Sequence, residues 1–171
     1  MELFDFSELE QVLNDYGQEV QDLYKTKLQQ DDRIASGDLL NNVSFNVTRD
    51  GMRWEVSLNL KYYWKFMERG VNGTERSQGS PYQFKKKRIS VPAMLHWIKV
   101  KKSLPKPDNP LPMAFALATN IAKHGIKGKP DLRETLDEVN EHYRNRIIVA
   151  LAGNMEQLYR LAGVRDLIEM K

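Results

Sequence analysis

A run of basic residues beside two aromatic rings is the part of this sequence best suited to binding chemistry. The run is Lys85-Lys86-Lys87-Arg88, preceded by Tyr82 and Phe84, with Arg76 a few residues earlier. Aromatic rings can stack on the bases of single-stranded nucleic acid while lysines contact its phosphates. No recognised nucleic-acid-binding motif surrounds the run. We therefore expect this segment to dock on protein or line a DNA channel, with direct nucleic-acid binding as the alternative.

Residue types that commonly do catalysis are present but not suitably spaced. The histidines, His96, His124 and His142, fall on three separate predicted helices without ligand-spaced neighbours. Two acidic pairs, Asp31-Asp32 and Asp137-Glu138, could hold Mg²⁺, but adjacent residues on a helix do not face each other. The HExxH, P-loop, dinucleotide-binding and GxSxG motifs are all missing from the sequence. We expect no catalytic residues, no metal and no cofactor, and hence no enzyme.

Length and composition predict one domain spanning residues 1–171, long enough to bury a core. The sequence contains no cysteine, which excludes disulfides and thiol catalysis and suits a reducing cytoplasm. No apolar run approaches the roughly 20 residues that span a bilayer. The acidic N-terminal residues do not resemble a signal peptide. We expect a protein made in the cytoplasm without a membrane partner.

Charge is unevenly distributed along the chain. Residues 1–32 carry nine acids and two lysines, whereas residues 76–107 carry nine basic residues and no acid. Oppositely charged segments can join copies of one chain head-to-tail. The candidate interface residues are Asp15, Glu19 and Asp22 on the acidic side and Lys99, Lys101 and Lys102 on the basic side. Alternatively, the two segments neutralise each other within one monomer.

Hydrophobic periodicity predicts a first helix over residues 6–30, with Ser7 and Glu10 as a capping box. A hairpin follows near residues 43–60, because apolar and polar residues alternate on both sides of Asp50-Gly51. The inward-facing residues predicted for it are Val43, Phe45, Val47, Trp54, Val56 and Leu58.

The rest of the chain reads as helices separated by loops. A short helix from Tyr62 to Met67 is followed by an inserted basic loop at about 72–89. A helix over 91–102, capped by Ser90, leads into a Pro-rich linker over 103–112. An all-apolar buried helix over 113–124 then precedes a last helix over 131–151 that continues past Gly153. The expected fold class is α+β, with a curved antiparallel sheet packed against the N-terminal helix and several C-terminal helices.

Several short motifs, taken in order, resemble those of tailed-bacteriophage tail-completion proteins, also called neck, head–tail joining or minor tail proteins. The motifs are Ser36-Gly37-Asp38-Leu39 before the hairpin, Tyr62-Tyr63-Trp64-Lys65-Phe66-Met67-Glu68-Arg69-Gly70 after it, Ile121-Ala122-Lys123-His124-Gly125-Ile126, and Lys129-Pro130-Asp131-Leu132 before the last helix. The resemblance covers about residues 5–155. It departs from the family pattern in two places. Lys129-Pro130-Asp131-Leu132 lacks the aromatic residue that the family has before its last helix, and residues 71–112 form a longer segment than in compact family members.

The resemblance implies a structural virion protein that links a portal or adaptor to the tail. It implies rings of this chain, hexameric or dodecameric, with portal, adaptor and tail proteins as partners and non-specific contact with packaged DNA. No catalytic residues come with it. The alternative is a nucleic-acid-binding accessory protein that uses residues 82–88.

Overall fold

A computed structural model describes residues 5–30, 37–85 and 89–161, with side chains to residue 158. Its elements are α1 Ser7–Gln30, α2 Asp38–Asn41, β1 Ser44–Asp50, β2 Arg53–Asn59, α3 Trp64–Arg69, β3 Val71–Asn72, α4 Val91–Val100, α5 Leu111–His124, β4 Gly125–Ile126 and α6 Asp131–Leu161. The predicted α+β class is confirmed, with the hairpin, the N-terminal helix and the C-terminal helices in place. The strands form two separate antiparallel pairs, β1 with β2 and β3 with β4.

Helix α1 is capped by Asp5 and not, as predicted, by Ser7. The Asp5 carboxylate accepts a hydrogen bond from the Ser7 amide at 2.9 Å, and the Phe6 carbonyl accepts from the Glu10 amide at 2.9 Å. Hydrogen bonds from the Ser7 side chain and backbone lower the pKa of Asp5 below its ordinary value. Ser7 is therefore the first residue of the helix, because an acidic side chain shortly before it satisfies a free amide.

The hairpin has the inward face that the alternation predicts. Val43 is buried, and the other five predicted inward residues are partly buried on the face that packs against α1. The turn is displaced by one residue, because Asp50 pairs with Arg53 and leaves Gly51 and Met52 as the loop. Gly51 adopts a φ of 59°, which a glycine tolerates without strain. The predicted turn centred on Asp50-Gly51 is therefore wrong, because Asp50 belongs to the last strand pair and not to the loop.

Helix α1 lies between the hairpin and α6 and is buried along one face from its first turn to its last. Its buried residues are Leu9, Val12, Leu13, Gly17, Val20, Tyr24 and Leu28. α1 packs along α6, since Tyr16 bonds to Asn140 and Lys27, later in α1, pairs with Glu138. On the other side of α1, Gly17 admits the Phe45 ring, because a Cβ at Gly17 would fall 2.3 Å from Phe45 Cδ2. The hairpin is thus seated on the helix through a glycine.

The apolar helix α5 is not buried on all sides, which corrects the sequence prediction. Its buried residues are Ala114, Ala118 and Ala122, one turn apart on one face of the helix, and α5 packs against α4. Leu111 and Phe115 remain 44% and 40% exposed. Composition misled here because a face of alanines suffices for close helix packing, so the larger side chains of Leu111 and Phe115 need not be covered. Helix α4 begins as predicted, with the Ser90 hydroxyl accepting from the Ala93 amide at 3.4 Å.

Helix α6 continues past Gly153 to Leu161, as predicted. Helix α3 ends at Gly70, whose φ of 70° stops the helix as the sequence indicated.

Within the described ranges, no helix is long and apolar enough to cross a membrane.

Candidate interaction surfaces

The end of α3 is joined to the start of α6. Glu68 Oε1 accepts a hydrogen bond from the Leu132 amide at 2.5 Å, and the Met67 carbonyl accepts from the Lys129 amide at 3.0 Å. The backbones of Gly70 and Gly128 touch, because a Cβ on Gly70 would lie 2.4 Å from the Gly128 nitrogen. Two of the segments that carry the family resemblance therefore form one joint.

The segment after β3 has a defined backbone, although its sequence has no periodic pattern. The Asn72 side chain accepts from the amides of Gln78 at 2.7 Å and Ser80 at 3.1 Å, and it donates to the Ser80 carbonyl at 2.6 Å. The Asn72 backbone also pairs with the Tyr82 carbonyl and the Phe84 amide. One asparagine thus organises a loop that sequence reasoning treated as exposed and irregular.

Tyr82 lies in an aromatic and basic patch with α3. Its ring meets Phe66 edge-on at 4.8 Å between centroids, and Lys65 Nζ lies 5.3 Å from the Phe66 ring and 5.8 Å from the Tyr82 ring. Phe84 is partly buried and Lys85 is exposed at the end of this segment. Sequence analysis missed Lys65 and Phe66, because they belong to a different element. We call Lys65, Phe66 and Tyr82 the aromatic–basic patch.

The other members of the basic loop are only partly accounted for. Arg76 is exposed, and its amide bonds to the Lys123 carbonyl at the end of α5 at 3.1 Å. Lys86, Lys87 and Arg88 lie outside the described residues, as do Asp31-Asp32 and Ser36. The binding role of the basic run therefore stays a prediction.

The acidic candidates on α1 face α6 within the same chain. Asp15 Oδ2 lies 3.1 Å from Arg146 Nη2, and Glu19 Oε1 lies 3.3 Å from His142 Nδ1. The hydrogen bond to Asp15 raises the pKa of Arg146 above its ordinary value. Asp22 accepts a hydrogen bond from Gln18 at 2.8 Å. Two of the three acids are thus paired by α6 and not by the basic 76–107 segment.

The basic candidates at the end of α4 differ in accessibility. Lys99 and Lys102 are exposed, whereas Lys101 is only 8% exposed. Lys106 closes this end of the helix by donating to the carbonyls of Ile98, Lys99 and Lys101. Lys101 is therefore poorly placed for a contact with another subunit, while Lys99 and Lys102 remain available.

Exposed apolar side chains form a stripe on the C-terminal half of α6. Ile148, Leu151 and Met155 recur at helical spacing and are 53%, 44% and 45% exposed. Isolated exposed apolar residues are normal, but aligned ones on one helix face are typical of contact surfaces.

The residue types that commonly do catalysis are not brought together in the described part of the chain. His96, His124 and His142 are exposed on three different helices. Residues 5–30, 37–85 and 89–161 contain no cluster of three His, Asp or Glu side chains that could hold a metal ion. Comparisons with protein-family models, curated proteins and solved structures give no match to this chain.

Proposed function

We propose that this chain is a structural, ring-forming component of the head–tail junction of a tailed phage, linking a portal or adaptor to the tail. The observation that carries the proposal is the joint between α3 and α6. It brings Glu68-Arg69-Gly70 into contact with Lys129-Pro130-Asp131-Leu132, two of the segments that carry the resemblance to tail-completion proteins. Segments that share one structural role are expected to recur together in a family.

The surfaces of the chain support an assembly role. The stripe of Ile148, Leu151 and Met155 provides apolar area for a neighbour, and Lys99 and Lys102 provide exposed charge. In this proposal the chain contacts copies of itself in a hexameric or dodecameric ring. It also contacts portal, adaptor and tail proteins, acts in the virion after synthesis in the host cytoplasm, and catalyses no reaction.

Deletion of the gene from the phage genome that encodes the chain tests this proposal. We expect lysates of the deletion to contain separate heads and tails in electron micrographs, because the junction would be incomplete. Expression of the wild-type chain from a plasmid should restore joined particles. Normal infectious particles from the deletion would contradict the proposal.

The second candidate function is binding of single-stranded nucleic acid. It is favoured by the aromatic–basic patch, because Lys65 and the Tyr82 ring lie beside the segment that leads into the basic run. Fluorescence anisotropy with a labelled oligonucleotide distinguishes the two candidates. Binding that is lost in Tyr82→Ala but retained in the exposed Tyr62→Ala control would favour the second candidate.

A further inference from the structure

The pairing inside the hairpin determines which backbone groups point outward. Asp50 and Arg53 close a two-residue loop, and such a closing pair exchanges backbone hydrogen bonds. Hydrogen-bonded and non-bonded pairs then alternate along an antiparallel ladder. The amides and carbonyls of every second residue therefore face away from the partner strand. These residues are Phe45, Val47 and Arg49 on β1 and Trp54, Val56 and Leu58 on β2.

Both outer edges of the hairpin are open in the described chain. Among residues 5–30, 37–85 and 89–161, no backbone hydrogen bond joins β1 or β2 to any other segment. α1 covers the apolar face but does not pair with either edge. Natural edges are commonly protected by proline, lysine or a bulge. Neither strand contains proline or lysine, the register runs without a bulge from Ser44 to Asp50, and the charged residues of the strands, Arg49, Asp50, Arg53 and Glu55, all lie at the turn end.

The outer edge of β1 in one copy and the outer edge of β2 in another fit each other in the same strand register that pairs β1 with β2 inside the hairpin. If β1 of one copy pairs antiparallel with β2 of the next in that register, Val47 lies opposite Val56 of the next copy, so the apolar face continues. On the polar face, Asp50 then lies opposite Arg53 of the next copy. Arg53 pairs with Glu55 of its own strand at 3.0 Å but remains 79% exposed, so it can also meet a second acid, and Asp50 makes no ion pair within the described residues. A shift of two residues in one direction would place Asp50 opposite Glu55, which repels it, and a shift in the other direction would place it opposite Gly51, where the ion pair with Arg53 is lost.

We propose that β1 of each copy pairs with β2 of the next, so that the ring is closed by a continuous intersubunit sheet. The contact is heterologous, because it joins two different edges, and such a contact closes into a ring when the rotation between copies permits. Closure would leave no edge exposed. The inference rests on the proposed ring function and identifies the surface that forms it.

Charge exchange between separate chains tests the contact. Sedimentation velocity of the wild-type chain over a concentration series should show a closed oligomer. Asp50→Lys and Arg53→Glu should each weaken association by about tenfold per contact, because each places like charges opposite one another. Mixing the two variants should restore the oligomer, since the lysine introduced in one chain then meets the glutamate introduced in its neighbour. Recovery on mixing cannot come from pairing inside one hairpin.

Backbone substitution gives a second test that does not depend on charge. Val47→Pro removes an amide that points to the open edge, and it should abolish association while circular dichroism retains the folded spectrum. Val47→Ala, which keeps the amide, should still associate. If Val47→Pro unfolds the chain, the mixing experiment alone decides the question.

Three outcomes would overturn the inference. They are a wild-type monomer at every concentration, a wild-type oligomer that both charge variants leave intact, and failure of the mixture to recover. The function proposed above is judged separately, by the phenotype of the gene deletion. If the strand-edge contact fails these tests, a ring could still form through other surfaces, such as the apolar stripe of α6.

Discussion

Glu68 on α3 caps the N-terminus of α6 by accepting a hydrogen bond from the Leu132 amide at 2.5 Å. The two residues are 64 positions apart in the chain. A carboxylate at this point satisfies a free amide and interacts favourably with the positive end of the helix dipole. The last helix is therefore tied to the segment that follows the hairpin.

Removing this cap should destabilise the protein. We expect Glu68→Ala to lower the free energy of unfolding by about 0.5–2 kcal/mol, as for other lost caps. Glu68→Gln keeps an acceptor oxygen and should lose less. Urea denaturation measures both variants, and equal losses would mean that charge, not the hydrogen bond, dominates at this end of α6.

Gly17 should be intolerant of a side chain. Alanine normally stabilises a helix interior by about 1 kcal/mol relative to glycine. Here its Cβ would fall 2.3 Å from the Phe45 ring, so Gly17→Ala should destabilise by roughly 1–3 kcal/mol. Gly153→Ala is the matched control, because its Cβ would come no closer than 4.0 Å to a neighbour and should be neutral or stabilising. A stabilised Gly17→Ala variant in thermal melts would contradict the packing of the hairpin on α1.

Trp54 should contribute to the core through its contact with the N-terminal segment. Its ring centroid lies 6.1 Å from that of Phe6, and the Arg49 guanidinium lies 5.5 Å from the Trp54 ring. Fully buried aromatic residues cost roughly 3–5 kcal/mol when truncated to alanine, and partial burial places Trp54→Ala near the lower end. Met52→Ala, at the exposed turn, should change stability by less than about 0.5 kcal/mol. Unchanged melting of Trp54→Ala would overturn the inward face of β2.

The basic run should matter for assembly and not for folding. Replacing Lys85, Lys86, Lys87 and Arg88 by serine should leave the melting temperature nearly unchanged, because surface substitutions usually cost less than about 0.5 kcal/mol each. The same variant should reduce particle assembly or DNA retention. A control variant replaces the exposed residues Lys127, Arg133 and Arg144 by serine and should assemble normally. Unfolding of the quadruple variant would show that the run belongs to the core.

Local patterns were sufficient to predict the hairpin and the long helices. Alternation with a turn signal predicted β1 and β2, and helical spacing predicted α1 and α6. The displaced turn shows the limit of such signals, because a one-residue difference depends on the pairing of Asp50 with Arg53. The predicted mixed fold followed from these elements.

Features that depend on distant contacts could not be predicted from local patterns. The pairing of β3 with β4 involves two-residue strands, which are too short to show any alternation. The bonds of Asn72 to Gln78 and Ser80 leave no periodic trace in the sequence. Charge counts likewise could not reveal that Arg146 lies beside Asp15, because the sequence does not show which helices are neighbours.

Quantitative mass spectrometry of gradient-purified phage particles, from the phage that encodes this chain under the proposal, tests the central claim most directly. We expect the chain in every infectious particle at a fixed copy number, about six or twelve relative to the portal ring, because a junction ring has a defined number of subunits. Expression of the chain in the infected cell together with its absence from purified particles would contradict the account.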